Sequence, residues 1–113
     1  MAGSQASSSK SKSRKFEFRE EAVRLYGRLT AALVLPFRSE DDVVDFLDAV
    51  EYEMVVVGSE VEGRPWRPED VFSAESWRLL LDSWRDKIHR FYGLTEGELS
   101  EARRYAIEAV EAL

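Results

Sequence analysis

Apolar side chains recur every three or four residues in four separate stretches of this 113-residue chain, and this spacing constrains the fold more than any other feature. It places the apolar residues along one face of an α-helix. The first stretch covers residues 16–35 and stops at Pro36. The second starts after the N-capping residue Ser39 and continues to Gly58. Its MVVVG run suits a strand by composition, but the helical period continues through it, so we predict a helix.

Two further helices are predicted after a loop at residues 59–72. Ser73 is expected to cap the third helix, which contains Trp77 and Trp84, and Gly93 to end it. The fourth begins at Thr95, whose spacing from a following glutamate is that of a capping box. The residues of this helix predicted to face inward are Leu99, Ala102, Ala106, Ala109, Val110 and Leu113.

These segments predict an all-α, antiparallel four-helix bundle over residues 16–113, after a disordered basic tail over residues 1–15. The tail holds four of the 16 basic residues and none of the 22 acidic ones, so the bundle carries a net charge of about −10. A body this acidic is unfavourable as a general nucleic-acid surface. Contact with RNA therefore requires a local basic patch or the tail. The basic residues of the tail are Lys10, Lys12, Arg14 and Lys15.

The chain has no cysteine and a single histidine, which excludes a disulfide framework and makes a protein-only zinc site unfavourable. We therefore expect no metal and no cofactor. The sequence has no apolar run of membrane-spanning length, and its beginning lacks the apolar core of a secretory signal. A cytoplasmic protein without membrane contact is the expectation.

The single histidine, His89, lies on a face of the third predicted helix that also carries positive charge. The face contains Arg78, Asp82, Arg85 and His89 at steps of three and four residues, and Lys87 and Arg90 flank it. Arginines on such a face bind a phosphodiester, and an imidazole transfers protons near neutral pH, as cleavage of RNA at the 2′-hydroxyl requires. Alternatively, the face is simply solvated: Asp82 pairs with an arginine, and His89 lies at the negative end of the helix dipole.

A resemblance to a known family bears on this choice. SWRLLLDSWRDKIHRFYGLT, residues 76–95, resembles the signature segment of HEPN domains, especially the toxins encoded beside minimal nucleotidyltransferases. The Trp77–Arg78 pair, His89, and the aromatics before Gly93 fall at matching places. DAVEYEMVVVG, residues 48–58, is similar to another helix of that family. Arg85 departs from the pattern, because only three residues separate it from His89.

The resemblance implies an all-α homodimer whose two protomers share a cleft that cuts RNA without metal and leaves a cyclic phosphate. His89 is then the general acid and base, and Arg85 binds the phosphate. Arg78, Lys87 and Arg90 are expected to support substrate binding. Tyr92 is the expected site of adenylylation by a nucleotidyltransferase antitoxin, which makes this chain the toxin of a toxin–antitoxin pair.

A second interpretation is a non-enzymatic helical adaptor or assembly subunit that binds a protein partner through the face around His89. The enzyme requires an exposed His89 near an arginine, whereas the adaptor requires an exposed apolar patch. Trp66 lies in the predicted loop, and we expect it to close the core, with a binding hot spot as the alternative.

Overall fold

The structure is a computed structural model that describes residues 17–35, 37–67 and 74–112. Four α-helices and no strand occur in these ranges, so the predicted all-α bundle is confirmed. The tail predicted over residues 1–15 lies outside the described residues, as do Pro36, Ser73 and Leu113. The helices are α1 (Arg19–Val34), α2 (Glu40–Glu62), α3 (Ala74–Tyr92) and α4 (Glu96–Glu111).

Helix α1 is central and packs against each of the other three helices. Near its start, Arg19 Nη1 donates to the carbonyl of Tyr92 at the end of α3, over 2.8 Å. After its end, the Leu35 carbonyl accepts from Arg78 Nη2 of the first half of α3, at 3.4 Å. The chain entering α1 donates a backbone hydrogen bond to Glu60, near the end of α2. Helix α1 is therefore antiparallel to both α2 and α3.

Helices α2 and α3 run in the same direction. Phe46, early in α2, packs edge-to-face against Trp77, early in α3, with ring centroids 6.5 Å apart. Glu62, the last residue of α2, binds Lys87 of the second half of α3 at 2.5 Å. The end of α2 and the start of α3 therefore lie at opposite ends of the bundle, whereas three residues suffice to turn α3 into the antiparallel α4.

Two faces of α1 are buried, which explains its central place. Leu25 and Leu29 are fully buried on the face toward α2 and α3, and Val23 and Ala31 are buried on another. A helix buried on two faces is covered from two sides. The largest fully buried side chains of the core are Trp77, Leu25, Leu29, Leu81, Ile88, Val50 and Val57.

The seam between α1 and α4 depends on a small residue. A Cβ on Gly27 would collide with the Ala102 carbonyl oxygen and lie 2.9 Å from Cβ of Tyr105. Glycine therefore lets the two backbones approach closely at this crossing. Helix α4 runs parallel to α1, because Glu98 at its start binds Arg19 at the start of α1.

Indole rings fill the side of the core between α2 and α3. Trp66 is 5% exposed, and its ring stacks on Trp84 with centroids 5.3 Å apart and planes 4° apart. Trp77 meets Trp84 edge-on at 6.0 Å. Trp66 thus closes the core, as predicted, and offers no exposed ring for binding.

The capping box predicted at Thr95 and Glu98 is present, with Glu98 N donating to Thr95 Oγ1 at 3.2 Å. Ser39 occupies the predicted N-cap position of α2, but its side chain makes no capping bond. The prediction that α2 ends at Gly58 is wrong, since the helix continues to Glu62 and ends at Gly63, whose φ of 75° suits glycine.

Gly58 is inside α2 for a different reason. A Cβ there would lie 2.6 Å from the backbone nitrogen of Trp66, so glycine makes room for the segment that buries this indole.

In α4, Ala102 is buried as predicted, but Val110 is 41% exposed and the prediction that it faces inward is wrong. Helix α4 packs mainly on α1 and so covers a narrower face than a helix with two packed neighbours. No helix within the described ranges has both the length and the apolar composition needed to cross a membrane.

Candidate functional site

An open groove of about 350 Å³ lies along the outer edge of α3 beside α1. We call it the His89 groove. It is the surface that the charged face of α3 was expected to form, and one residue of α1 contributes to it. The lining residues are Tyr26, Leu79, Asp82, Ser83, Arg85, Asp86 and His89.

His89 lies in the last turn of α3 with its side chain exposed. Its imidazole meets the edge of the Tyr26 ring of α1, with centroids 6.3 Å apart and planes at 61°. Its backbone carbonyl accepts from Gly93 N at 2.9 Å, which closes the helix end. The imidazole thus rests on an aromatic wall on one side and is open to solvent on the other.

Arg85 lies one helical turn before His89 and is held by three groups. Its Nη2 donates to Asp82 Oδ1 at 3.1 Å, and its Nη1 donates to Thr30 Oγ1 at 3.3 Å. Its guanidinium carbon lies 5.6 Å from the centroid of the Tyr26 ring, which is cation–π geometry. These contacts use only part of the donors of the guanidinium, so an anion in the groove has further N–H groups to bind.

Thr30 is itself oriented by its own helix. Its hydroxyl donates to the Tyr26 carbonyl one turn earlier, at 2.8 Å. Because the hydroxyl hydrogen is committed to that bond, the oxygen presents lone pairs to Arg85. One turn of α1 therefore supplies both the ring and the acceptor that locate Arg85.

The sequence explains why these side chains meet. Asp82, Arg85 and His89 follow at steps of three and four residues and share one face of α3. That face borders the apolar stripe through Leu81 and Ile88, which packs α3 onto α1. Two carboxylates and one guanidinium line the groove, so an incoming anion has to replace Asp82 on Arg85.

The other predicted substrate-binding residues do not line this groove. Lys87 points toward α2 and binds Glu62, and this bond lowers the pKa of the Glu62 carboxyl. Arg78 is exposed and approaches the carbonyl of Leu35. Arg90 is paired with Asp86 at 2.6 Å, at the edge of the groove.

Tyr92 is buried, with 3% of its surface exposed. Its hydroxyl is hydrogen-bonded to the carboxylate of Glu60 on α2. Burial, and next the bond to Glu60, raise the pKa of the Tyr92 hydroxyl well above its usual value. The hydroxyl therefore faces α2, while His89 faces α1.

Tyr26 and Thr30 are the site residues that sequence reasoning missed. Tyr26 stands at a position of α1 where the helical period predicts an apolar core residue, and nothing in its local sequence points to a partner on α3. Their contacts join residues more than fifty positions apart, and only the packing of α1 against α3 brings them together.

Within the three described ranges, no group of three or more acidic or histidine side chains is arranged to hold a metal ion. The chemistry on offer in the groove is that of an exposed imidazole beside a fixed guanidinium. Such a pair can move a proton and neutralise an oxyanion.

Comparison of the chain with protein-family models, with curated proteins and with solved structures finds no match in any of the three. The similarity to HEPN domains therefore stays a prediction from the motif around His89.

Proposed function

We propose that this chain is a HEPN-like, metal-independent endoribonuclease, the toxin component of a pair with a nucleotidyltransferase. The observation that carries the proposal is that the exposed imidazole of His89 and the guanidinium of Arg85 lie on the same open groove and contact the same ring, Tyr26. An imidazole that moves a proton and a guanidinium that binds the phosphate are two of the groups that RNA cleavage through the 2′-hydroxyl uses.

In the proposed reaction, His89 takes the proton of the ribose 2′-hydroxyl. The 2′-oxygen attacks the adjacent phosphorus, and the bond to the 5′-oxygen of the next nucleotide breaks. A proton supplied to that oxygen completes the release of the leaving strand, and a 2′,3′-cyclic phosphate remains. Arg85 exchanges Asp82 for the phosphate oxygens and stabilises the charge that grows on them.

A homodimer completes this scheme. The reaction needs one group to accept a proton and another to donate one, and each chain has a single histidine. His89 of a second protomer supplies the other group when the two grooves face each other. Leu79, which is 69% exposed at the groove, then becomes covered in the dimer.

The nucleotidyltransferase partner would act on Tyr92. Because this hydroxyl is buried against Glu60, its adenylylation requires that the end of α3 move away from α2. Modification would then alter the groove through the last turn of α3, which also carries His89.

One observation favours a second candidate, an adaptor that docks a protein partner on this groove. Leu79 is strongly exposed, and Asp82 and Asp86 already neutralise the neighbouring arginines. A protein partner would cover Leu79 and would leave those ion pairs intact.

The test is cleavage of a mixed-sequence RNA by the purified full chain in the presence of a chelator, with His89→Ala and Arg85→Ala in parallel. We expect the wild type to cut and both variants to be at least about tenfold slower, as is typical for loss of an acid–base group. Glu75→Ala, at another exposed position of α3, is the matched control and should cut at the wild-type rate.

Circular dichroism and sedimentation would establish that the variants remain folded and in the wild-type oligomeric state. Equal rates for the wild type and His89→Ala, or no cleavage by either, would remove the nuclease proposal. The adaptor then becomes the leading interpretation, and a partner captured by the wild type and lost in Leu79→Asp would support it.

A further inference from the structure

The outward face of α2 is apolar but is covered by no other described element. Val44, Tyr52 and Val55 are 51%, 60% and 42% exposed, and their spacing places them along one side of the helix. An open groove of about 340 Å³ runs beside them, with Met54 and Pro65 in its wall. Exposed apolar side chains clustered on one helix face indicate an interaction surface.

This face is also acidic. Helix α2 contains nine aspartates and glutamates and no lysine or arginine. Four of the nine are exposed on the same side as the valines and have no ion-pair partner within the described part of the chain. They are Asp41, Asp45, Asp48 and Glu51. Arg67 contributes one positive charge at the groove, so the face keeps an excess of negative charge and favours an occupant that carries positive charge.

A second copy of α2 does not meet this requirement, because two such faces would bring like charges together. The chain itself carries a segment of the required chemistry. Residues 1–16 include four basic residues and no acidic one. In an extended segment, Lys10, Lys12 and Arg14 would fall on one side about 7 Å apart, close to the spacing of about 5–6 Å between the Cβ atoms of residues one helical turn apart.

The point where residues 1–16 join the described chain lies close to this face of α2. The backbone nitrogen of Glu17, the first described residue, donates to Glu60 Oε2 over 3.1 Å, so the described chain begins beside the second half of α2. The seven residues from Glu17 back to Lys10 span about 23 Å when extended. Glu60 and Asp48 are separated by about 18 Å along the helix axis, so Lys10 can reach the acidic stretch.

We propose that the basic segment Lys10–Lys15 binds in cis along the outward face of α2, between Asp45 and Val55. The ammonium and guanidinium groups neutralise the exposed carboxylates. The aliphatic parts of these side chains cover Val44 and Val55, and Tyr52 offers its ring to a cation. This contact is independent of the proposed nuclease activity.

The absence of cysteine makes a direct test available. Ser11→Cys in the full chain carries a single nitroxide label, and paramagnetic broadening of the backbone amide signals reports which residues the tail approaches. We expect the amides of residues 45–55 to lose more than half of their intensity at low salt. The loss should largely disappear in about 1 M NaCl, where the screening length falls to about 3 Å.

Neutralising the face by Asp45→Asn, Asp48→Asn and Glu51→Gln should abolish the broadening. The matched control neutralises three exposed glutamates of α4 by Glu96→Gln, Glu108→Gln and Glu111→Gln, and should leave it unchanged. Uniform weak broadening over the whole surface would overturn the proposal. Broadening that arises only between labelled and isotope-enriched chains in a mixed sample would also overturn it, because the occupant would then be the tail of another copy.

Discussion

Arg19 of α1 and Arg85 of α3 each pair with a carboxylate, and the two ion pairs differ in how firmly they are held. Arg19 at the junction of α1, α3 and α4 grips Glu98 with two bonds, Nε to Oε2 at 2.5 Å and Nη2 to Oε1 at 2.6 Å. It also binds the Tyr92 carbonyl. Arg85 in the His89 groove makes a single bond to Asp82 at 3.1 Å, and the Asp82 side chain is 64% exposed.

The difference separates an ion pair that joins two helices from an ion pair that lies on the surface of one helix. At the junction, Glu98 also caps α4, so neither partner can leave without breaking a helix end. In the groove, Asp82 caps no helix within the described residues, and an anion from solution can take its place on Arg85. An arginine–carboxylate pair is therefore fixed at the junction, whereas a similar pair in the groove is open to exchange with an anion.

The largest expected effect comes from moving α4 away from the junction. Gly27→Ala forces a Cβ into the Ala102 carbonyl, and overpacking of this kind costs about 3 kcal/mol. Urea denaturation would measure the loss in the free energy of unfolding. Gly97→Ala is the control, because its Cβ would meet only Thr95 Oγ1 at 3.9 Å. Equal stability of the two variants would contradict close packing at the seam.

Removing each arginine tests the comparison directly. Arg19→Ala leaves the partly buried carboxylate of Glu98 without its ion-pair partner and removes a donor to the Tyr92 carbonyl. We expect a loss of about 2–3 kcal/mol in the free energy of unfolding. Arg85→Ala should cost under about 1 kcal/mol, since its ion pair is largely exposed. The comparison fails if Arg85→Ala destabilises the chain as much as Arg19→Ala does.

Low pH should weaken the ion pair between Arg19 and Glu98. The hydrogen bond from Arg19 lowers the pKa of Glu98 from 4.5 to about 2. A carboxyl with a lowered pKa in the folded chain stabilises it fully above pH 4.5, and this contribution is lost as the pH falls toward 2. It is on the order of 2 kcal/mol.

Glu98→Gln should therefore be less stable than the wild type at neutral pH and should lose less further stability on acidification over that range. Denaturant titrations at several pH values would measure this. Glu96→Gln, which is exposed in the same helical turn, is the control, and its stability should fall with pH as steeply as that of the wild type. If the free energy of unfolding of Glu98→Gln fell with pH as steeply as that of the wild type, the Arg19–Glu98 pair would not be the source of the acid sensitivity.

The smallest effect concerns the second acceptor of Arg85. Thr30→Val removes the hydroxyl and keeps the shape of the side chain, so the proposed RNA cleavage should fall about fivefold, for a lost bond of about 1 kcal/mol. Thr30→Ser restores the hydroxyl and should recover the rate, while thermal stability changes little in either variant. If valine and serine cut equally fast, Thr30 does not position Arg85.

Local patterns predicted much of this fold. The 3.6-residue period was enough to place MVVVG in a helix, and the capping box at Thr95 marked the start of α4. The end of α2 was predicted wrongly at Gly58, because a glycine after aliphatic residues resembles a helix end. Its actual role depends on Trp66, which lies outside the window that a local rule considers.

Local spacing likewise predicted only part of the candidate site. The spacing on α3 predicted that Asp82, Arg85 and His89 share a face, since all three belong to one helix. It did not predict that Lys87 would turn to Glu62 or that Tyr26 would form the wall of the groove. Those outcomes depend on how whole helices dock, and helical periodicity carries no information about the partner helix.

The central place of α1 has a consequence during synthesis. This helix leaves the ribosome before the three helices that bury its two apolar faces. Translation adds about 5–20 residues per second, so Leu25 and Leu29 stay uncovered for seconds until α3 emerges. Val23 and Ala31 wait longer, until α4 is complete. The nascent chain therefore keeps part of the apolar surface of α1 open to chaperones until α4 has emerged, and this bundle can finish folding only then.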